Sequence, residues 1–140
     1  MFGRIDLSKV DSIIDGGIFN VKPSLGDATE VYQTYCKYKK FKSIIPLYQG
    51  DIDMYEWFCY FEDKKLVAFQ QTMLYDKDKV AFNEQFAWTY QNPNKRLGWR
   101  FNKHVSAWLK IKGYKYLYMG DHESYKSQLK GYEIVNDSYG

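Results

Sequence analysis

Three stretches of strand-forming residues, joined by two short polar segments, occupy the middle of this 140-residue sequence. The stretches are 55–61, which is largely aromatic, 66–75 and 80–90, and the polar segments 62–65 and 76–79 separate them. Connections this short join only antiparallel neighbours, because a parallel pair needs a crossover of about a dozen residues or more. The sequence therefore predicts a three-stranded antiparallel meander around which the rest of the chain must fold.

The segment after the meander predicts a parallel crossover. Apolar residues from about 96 to 112 recur at helical spacing and form one stripe. The stripe consists of Leu97, Phe101, Val105, Trp108 and Leu109. Gly113 is placed to end that helix, and residues 114–119 form a strand-like run directly after it. A strand, a helix and a strand in this order put the two strands parallel in one sheet.

The two ends of the chain supply the remaining predicted elements. Asp6 as an N-cap predicts a helix over 6–15, followed by a strand over 18–22. Asp27 and Glu30 have the spacing of a capping box, which predicts a helix from about 26 to 40. A short helix over 122–129 and a strand over 131–135 close the chain. Residues 1–140 are therefore expected to form one α/β domain with a mixed, mostly antiparallel sheet.

Composition argues against several other classes of protein. Hydrophobic residues make up 45% of the chain, which supports a sizeable core. The net charge of +3 does not by itself indicate a nucleic-acid-binding protein. Cys36 and Cys59 have no metal-ligand spacing and are expected to be reduced core residues. Neither a signal peptide nor a membrane-spanning apolar run is recognisable, so we expect a cytoplasmic protein that has neither a metal site nor a membrane partner.

The order of the predicted elements and three local segments resemble the GNAT superfamily of acyltransferases over nearly the whole chain. The hairpin 57–69 looks like the second and third strands of that family, and residues 93–98, Pro-Asn-Lys-Arg-Leu-Gly, look like the opening of its long helix. Residues 129–135 look like its closing strand. The resemblance implies a GNAT-like fold and an N-acyltransferase, in particular an N-acetyltransferase. Such an enzyme moves an acyl group from acetyl-CoA or another acyl-CoA to an amine by direct attack.

A narrower resemblance covers roughly the last third of the chain. Residues 116–120, Tyr125 with Lys126, and Tyr132 with Glu133 look like the C-terminal part of arginyl-tRNA–protein transferases. That family has a GNAT-like fold but takes its acyl group from an aminoacyl-tRNA. The sequence lacks that family's cysteine and methionine between the motifs. An aminoacyl-tRNA-dependent transferase and a GNAT-like binding module without coenzyme A chemistry therefore stay open as alternatives.

The loop and helix start at 94–100 form the predicted donor site. A helix N-terminus exposes unpaired backbone N–H groups, and a glycine lets an anion approach them closely. The pyrophosphate of coenzyme A would fit there. The family pattern has small residues at two positions of this segment. If the pattern is aligned from Arg96, Trp99 and Phe101 occupy them, and if it is aligned from Lys95, Gly98 and Arg100 do. Bulky side chains at these positions would crowd a pyrophosphate. Either the donor sits differently, with Arg100 helping to hold it, or coenzyme A does not bind.

The resemblance also implies individual contacts to the donor. Backbone N–H groups near residues 88–90 are expected to meet the oxyanion and the pantetheine arm, and 95–100 are expected to meet the phosphates. The predicted donor-binding residues are Trp88, Thr89, Tyr90, Lys95, Arg96, Leu97, Gly98, Trp99 and Arg100.

Glu84 is the candidate general base. Regular alternation along its strand would place it on the face shared by Phe82, Phe86 and Trp88, where aromatic neighbours would raise the pKa of its carboxyl. The alternative is a strand-edge glutamate in water.

The resemblance implies a general-acid tyrosine in the last helix, four residues before the glycine. That position is Ser127 here, so Tyr125, two residues earlier, is the candidate general acid. The alternative is that Tyr125 packs against the protein. His104, beside the apolar stripe, is expected to be a hydrogen-bonded core histidine, and His122 is expected to lie at the surface.

The partner implied by this chemistry is an amine on a small molecule or a protein. A nucleic acid, tRNA or DNA, contacted through Lys37, Lys39 and Lys40 is a less favoured partner. The chain is expected to act as a monomer or a homodimer.

Overall fold

A mixed sheet with one helix on each face is the framework of the computed structural model, which describes residues 1–40, 55–90, 95–121 and 124–136. The strands are β1 (Phe2–Asp6), β2 (Tyr55–Glu62), β3 (Lys65–Tyr75), β4 (Val80–Trp88), β5 (Tyr116–Asp121) and β6 (Tyr132–Val135). The helices are α1 (Leu25–Lys39) and α2 (Leu97–Ile111), with short 3₁₀ helices at Leu7–Lys9 and Ser124–Gln128.

The strand order is β2-β3-β4-β5-β1-β6. β2, β3 and β4 pair antiparallel in sequence, so the predicted meander is confirmed. β4 and β5 pair parallel across α2, which confirms the predicted crossover and the mostly antiparallel sheet. Asp63 and Lys64, with φ of 50° and 66°, form the tight turn between β2 and β3, since positive φ at both central residues matches the twist of a hairpin.

The predicted helix over 6–15 is wrong. Residues Phe2–Asp6 instead form β1, which lies between β5 and β6. Gly3 makes the pairing with β6 tight, because a Cβ on it would lie 1.9 Å from the Tyr132 hydroxyl. Asp6 does act as a cap, but only for the single 3₁₀ turn, where its carboxylate accepts from the Ser8 N–H. Sheet pairing has overridden a weak helical pattern at this position.

The predicted strand over 18–22 is also wrong, since this segment makes a single antiparallel bridge between Phe19 and Cys59. α1 agrees with its predicted length, although its cap is Ser24 rather than Asp27. The predicted helix over 122–129 is a 3₁₀ helix whose first two predicted residues lie outside the described part of the chain.

Two apolar clusters lie on opposite faces of the sheet. The first includes the fully buried α2 residues Leu97, Phe101, Val105 and Leu109, so the predicted stripe is confirmed. Each of these side chains contributes about 2 kcal/mol on burial. The second cluster joins α1 to β2 and β3.

Both cysteines are buried and free within the second cluster, as expected. Burial raises the pKa of the Cys59 thiol to about 12, which keeps it protonated and unreactive. No helix in the described ranges is long and apolar enough to cross a membrane.

Candidate functional site

The parallel strands β4 and β5 separate after a short stretch of pairing. They are in register at three positions, from Val80 opposite Tyr116 to Phe82 opposite Tyr118. Beyond that point β4 continues alongside β3 to Trp88, whereas β5 continues alongside β1 to Asp121. A gap therefore opens in the middle of the sheet. We call this gap the cleft.

The cleft has a volume of about 530 Å³, which lies within the range of about 300–1,000 Å³ typical of small-molecule sites. Its main walls are β4, the first two turns of α2 and the 3₁₀ helix Ser124–Gln128. These walls carry Asn83, Glu84, Gln85, Phe86, Trp88, Gly98, Trp99, Asn102, Tyr125, Lys126 and Gln128. Tyr35 and Lys39 of α1 line it as well.

The N-terminus of α2 opens onto the cleft without a cap of its own. Arg96 precedes the helix in the left-handed conformation, with φ of 50°, and its side chain makes no capping hydrogen bond. The first turn contains no acidic residue. Gly98 lies at the cleft surface, and the nearest atom to a Cβ built on it would be a Phe86 ring carbon at 3.8 Å. The first backbone N–H groups of α2 therefore lie beside an open space.

The sequence predicted that the bulky side chains after Gly98 would crowd this helix end, but most of them point elsewhere. Phe101 is fully buried in the core. Arg100 turns to the loop before α1, where its Nε and Nη2 donate to the Asp15 carboxylate at 2.8 and 3.0 Å. Trp99 alone among these three lines the cleft, as part of its wall. The steric objection to an anion at this helix end therefore applies only to Trp99.

The basic side chains of the predicted donor segment divide into two groups. Lys95 donates to the Tyr60 hydroxyl at 2.8 Å and lies 3.0 Å from a Glu62 oxygen. Arg100 is held by Asp15, and its hydrogen bond lowers the pKa of that carboxyl. Arg96 instead is exposed at the start of α2. Of the three, Arg96 is the most exposed, and it lies beside the start of α2 rather than in the cleft lining.

The end of β4 carries the other predicted donor contacts. The Thr89 N–H donates to the Val67 carbonyl at 3.1 Å, so this group is already used within the sheet. Trp88 and Tyr90 both line the cleft. Tyr90 has φ of 61° and stacks on Tyr38 with ring centroids 3.5 Å apart. Tyr38 is itself exposed, and its ring supports Tyr90 from α1.

Glu84 lies where β4 bulges. Gln85 is opposite Gln71 and Asn83 is opposite Thr72, so Glu84 is the extra residue. The bulge reverses the alternation, because Ala81 and Phe86 pack in the same cluster although they are five residues apart. The expectation that Phe82, Glu84 and Phe86 share one face is therefore wrong. Glu84 is exposed in the wall of the cleft.

Tyr125, the other predicted catalytic residue, is 66% exposed and lines the cleft from the 3₁₀ helix. The adjacent Lys126 was not predicted. It is buried, and its ammonium donates to the Met119 carbonyl at 3.0 Å. Gln70 is a second unpredicted residue, a buried amide in β3 at the inner side of the cleft. Three consecutive polar residues, Gln70, Gln71 and Thr72, in the middle of a strand were the signal that could have identified it.

His104 is the hydrogen-bonded core histidine that the sequence predicted. Its Nδ1 accepts from the Asp15 N–H at 2.9 Å, and burial lowers the pKa of the imidazole. No cluster of three or more His, Cys, Asp or Glu that could hold a metal ion occurs among the residues the structure describes. His122 and the Pro93–Asn94 part of the donor motif lie outside those residues.

Comparison with known proteins finds similarity in structure and not in sequence. Neither a protein-family model nor a curated protein matches the sequence. A protein assigned to the GNAT family of acetyltransferases from Novosphingobium aromaticivorans superposes with a TM-score of 0.71 at 16% identity, over 96% of this chain and 59% of that one.

Two further solved structures show the same fold. The ribosomal-protein-S18-alanine N-acetyltransferase of Escherichia coli has a TM-score of 0.58 at 19% identity, over 73% of this chain and 64% of that one. The C-terminal domain of a protein described as a lysylphosphatidylglycerol synthetase from Agrobacterium fabrum has a TM-score of 0.62 at 14% identity, over 86% of this chain. This chain spans 46% of the length of that last structure.

These superpositions confirm the predicted GNAT-like fold. The narrower resemblance to arginyl-tRNA–protein transferases stays a prediction.

Proposed function

We propose that this protein is an acyltransferase that moves an acyl group from an acyl-CoA, in the first instance acetyl-CoA, to an amine. The observation that carries the proposal is the cleft between β4 and β5, which opens directly beside the uncapped start of α2. A thioester donor needs a narrow passage for its pantetheine arm and an anion site for its phosphates. The two features supply these needs next to each other.

The donor phosphates would lie at the first turn of α2. The backbone N–H groups of residues 97–99 have no partner within the helix, and the helix dipole adds a partial positive charge. Gly98 leaves the backbone open to an anion, and the exposed guanidinium of Arg96 supplies a full charge. Lys95 and Arg100 play structural parts in this arrangement, since each is paired elsewhere.

Glu84 and Tyr125 are suited to the two proton transfers, because both side chains lie in the cleft wall and are exposed. The amine nitrogen attacks the thioester carbonyl carbon and forms the new N–C bond. Its proton passes to the Glu84 carboxylate, directly or through water. The C–S bond then breaks, and the departing thiolate takes a proton from the Tyr125 hydroxyl, which solvent restores.

Release of the coenzyme A thiol from acetyl-CoA, measured with a panel of primary amines and amine-bearing peptides, tests this function. We expect amine-dependent release, reduced at least about tenfold in kcat by Glu84→Gln with little change in donor Kd. Glu30→Gln is the matched control, since Glu30 is an exposed glutamate on α1 outside the cleft.

One result would contradict the proposed function, and another would contradict its general base. The first is an absence of saturable binding to any of several acyl-CoAs. The second is thiol release that Glu84→Gln and Glu30→Gln leave equally unchanged, which would remove Glu84 from the proton transfer. A measured affinity for tRNA that falls when Lys37, Lys39 and Lys40 are changed would instead favour a nucleic-acid-dependent role.

A further inference from the structure

Trp99 occupies an unusual position at the mouth of the cleft. It lies in the first turn of α2 and is 42% exposed. It borders the cleft itself and two smaller cavities, one of about 330 Å³ beside Arg100 and Lys103 and one of about 130 Å³ beside Ser106. A large ring that is exposed where three hollows meet is available to a ligand on the protein surface.

A cation lies over the ring of Trp99. The Arg96 guanidinium carbon is 5.5 Å from the ring centroid, which is within cation–π distance. The pair therefore combines a planar aromatic surface with a positive charge. It lies immediately beside the open N–H groups at the start of α2.

Three other aromatic residues that line the cleft, Tyr35, Trp88 and Tyr90, are arranged differently. Tyr90 has its ring stacked on Tyr38 and packed at 4.3 Å against Trp88. Tyr35 lies 5.8 Å from Tyr90 and nearly parallel to it. Those rings pack against one another and build a wall, whereas Trp99 presents its surface next to the anion site.

We infer that Trp99 and Arg96 bind the nucleotide end of the donor, with the purine base stacked on the indole and a phosphate held by the guanidinium. This inference rests on the proposed function and specifies how the nucleotide end of its donor is held. An aromatic platform, a cation and helix N–H groups together are complementary to a nucleoside phosphate. A donor whose pantetheine is carried on a protein has no base to stack. Trp99 therefore favours free acyl-CoA over an acyl carrier protein.

Calorimetric titration of three probes tests the inference. The probes are coenzyme A, 4′-phosphopantetheine, which lacks the nucleoside, and 3′,5′-ADP, which lacks the pantetheine. Stacking of one base on an aromatic side chain contributes about 1–3 kcal/mol, which corresponds to roughly 5- to 150-fold in Kd. We expect Trp99→Ala to weaken coenzyme A and 3′,5′-ADP by about that factor and to leave 4′-phosphopantetheine within about twofold.

Two further variants guard against an indirect effect. Trp99→Phe keeps a stacking surface and is expected to restore most of the coenzyme A affinity. Tyr75→Ala removes a comparably exposed aromatic that does not line the cleft, and it is expected to change none of the three affinities.

The outcomes separate this inference from the proposed function. Equal weakening of all three probes by Trp99→Ala, or no weakening of any, would overturn the inference while acyl transfer could still be measured. Failure of the wild-type protein to bind either nucleotide-bearing probe would overturn both. Trp99-dependent binding of 3′,5′-ADP in a protein that transfers no acyl group would support the nucleotide site and overturn the transferase.

Discussion

The two α-helices of the described residues both begin with Leu-Gly, but their N-termini are stabilised in different ways. α1 and α2 are both fifteen residues long, and both start with Leu-Gly, as Leu25-Gly26 and Leu97-Gly98. Ser24 caps α1, its hydroxyl accepting from the Asp27 N–H at 3.2 Å, and Asp27 adds an acidic group to the first turn. α2 has neither a side-chain cap nor an acidic residue in that turn.

The first residues of the two helices also differ in burial. Leu25 is 43% exposed, whereas Leu97 is fully buried and anchors the start of α2 in the core. Tertiary packing therefore holds α2 where a cap would otherwise be needed, and its dipole remains uncompensated beside the cleft. The α1 end is stabilised locally by its own residues, whereas the α2 end is available for a ligand.

The largest difference is expected when the same side chain is placed on both glycines. Gly98→Phe puts a ring in the mouth of the cleft, so it should weaken acyl-CoA binding by at least about a hundredfold. Gly26→Phe is the matched control, because nothing lies within 4 Å of a Cβ there, and it should leave donor affinity unchanged. Titration of both variants with acetyl-CoA gives the comparison.

A smaller change at Gly98 sharpens that result. Gly98→Ala adds a methyl at an ordinary 3.8 Å from the Phe86 ring and should leave both fold and affinity nearly intact. Equal loss of affinity in Gly98→Phe and Gly26→Phe would show that the two helix ends do not differ in function.

The next largest effect separates two arginines of the donor segment. Arg96→Ala should weaken donor binding by about tenfold with little change in the free energy of unfolding. Arg100→Ala should do the reverse, since its guanidinium holds Asp15. The expected loss of stability is about 0.5–1 kcal/mol, because the ion pair is partly exposed.

Paired titrations and urea unfolding of the two variants measure both quantities. A tenfold loss of donor affinity in Arg100→Ala, with Arg96→Ala unaffected, would move the anion site away from the start of α2.

The cap of α1 should matter for stability alone. Ser24→Ala removes the hydroxyl that accepts from Asp27 N–H and should lower the free energy of unfolding by about 1 kcal/mol. Donor Kd should not change. Thermal unfolding with and without acetyl-CoA checks both statements, because the ligand-induced rise in Tm should equal that of the wild type.

The smallest expected effect is a pH dependence of the free energy of unfolding, which arises from His104 of α2. His104 accepts from Asp15 N–H through Nδ1, and burial lowers the pKa of its imidazole below 6.5. The unfolded chain therefore binds a proton that the folded chain does not, and stability is lost as pH falls below about 6.5.

One proton limits the slope to about 1.4 kcal/mol per pH unit. His104→Gln should flatten the curve between pH 7.5 and about 5.5, which lies above the range of Asp15. Urea unfolding across this range measures the slope, and an unchanged slope in the variant would assign the pH dependence to another group.

The fold was predictable where the local sequence pattern favours the same element that packing in the folded chain requires. The polar connections of the meander and the stripe of α2 specified their elements, and both are present. β1 was not predictable, because Phe2–Asp6 becomes a strand only by insertion between β5 and β6, which are more than a hundred residues away in sequence. Local signals at Asp6 indicated a helix start, and they account for one 3₁₀ turn only.

The sequence predicted which residues lie at the site better than it predicted what their side chains contact. Gly98, Trp99, Glu84 and Tyr125 all line the cleft. The pairing of Arg100 with Asp15 depends on a loop far away in sequence, so it has no signature near Arg100. The bulge at Glu84 reverses the alternation on which the sequence reasoning relied, because bulges depend on the register of two strands rather than one.

Amide chemical shifts recorded during titration with acetyl-CoA test the difference between the two helix starts most directly. We predict the largest shifts at the N–H groups of Leu97, Gly98 and Trp99, with those of Leu25 and Gly26 unmoved. Shifts that are equal at both helix starts, or that appear at α1 and not at α2, would contradict the assignment of the donor site.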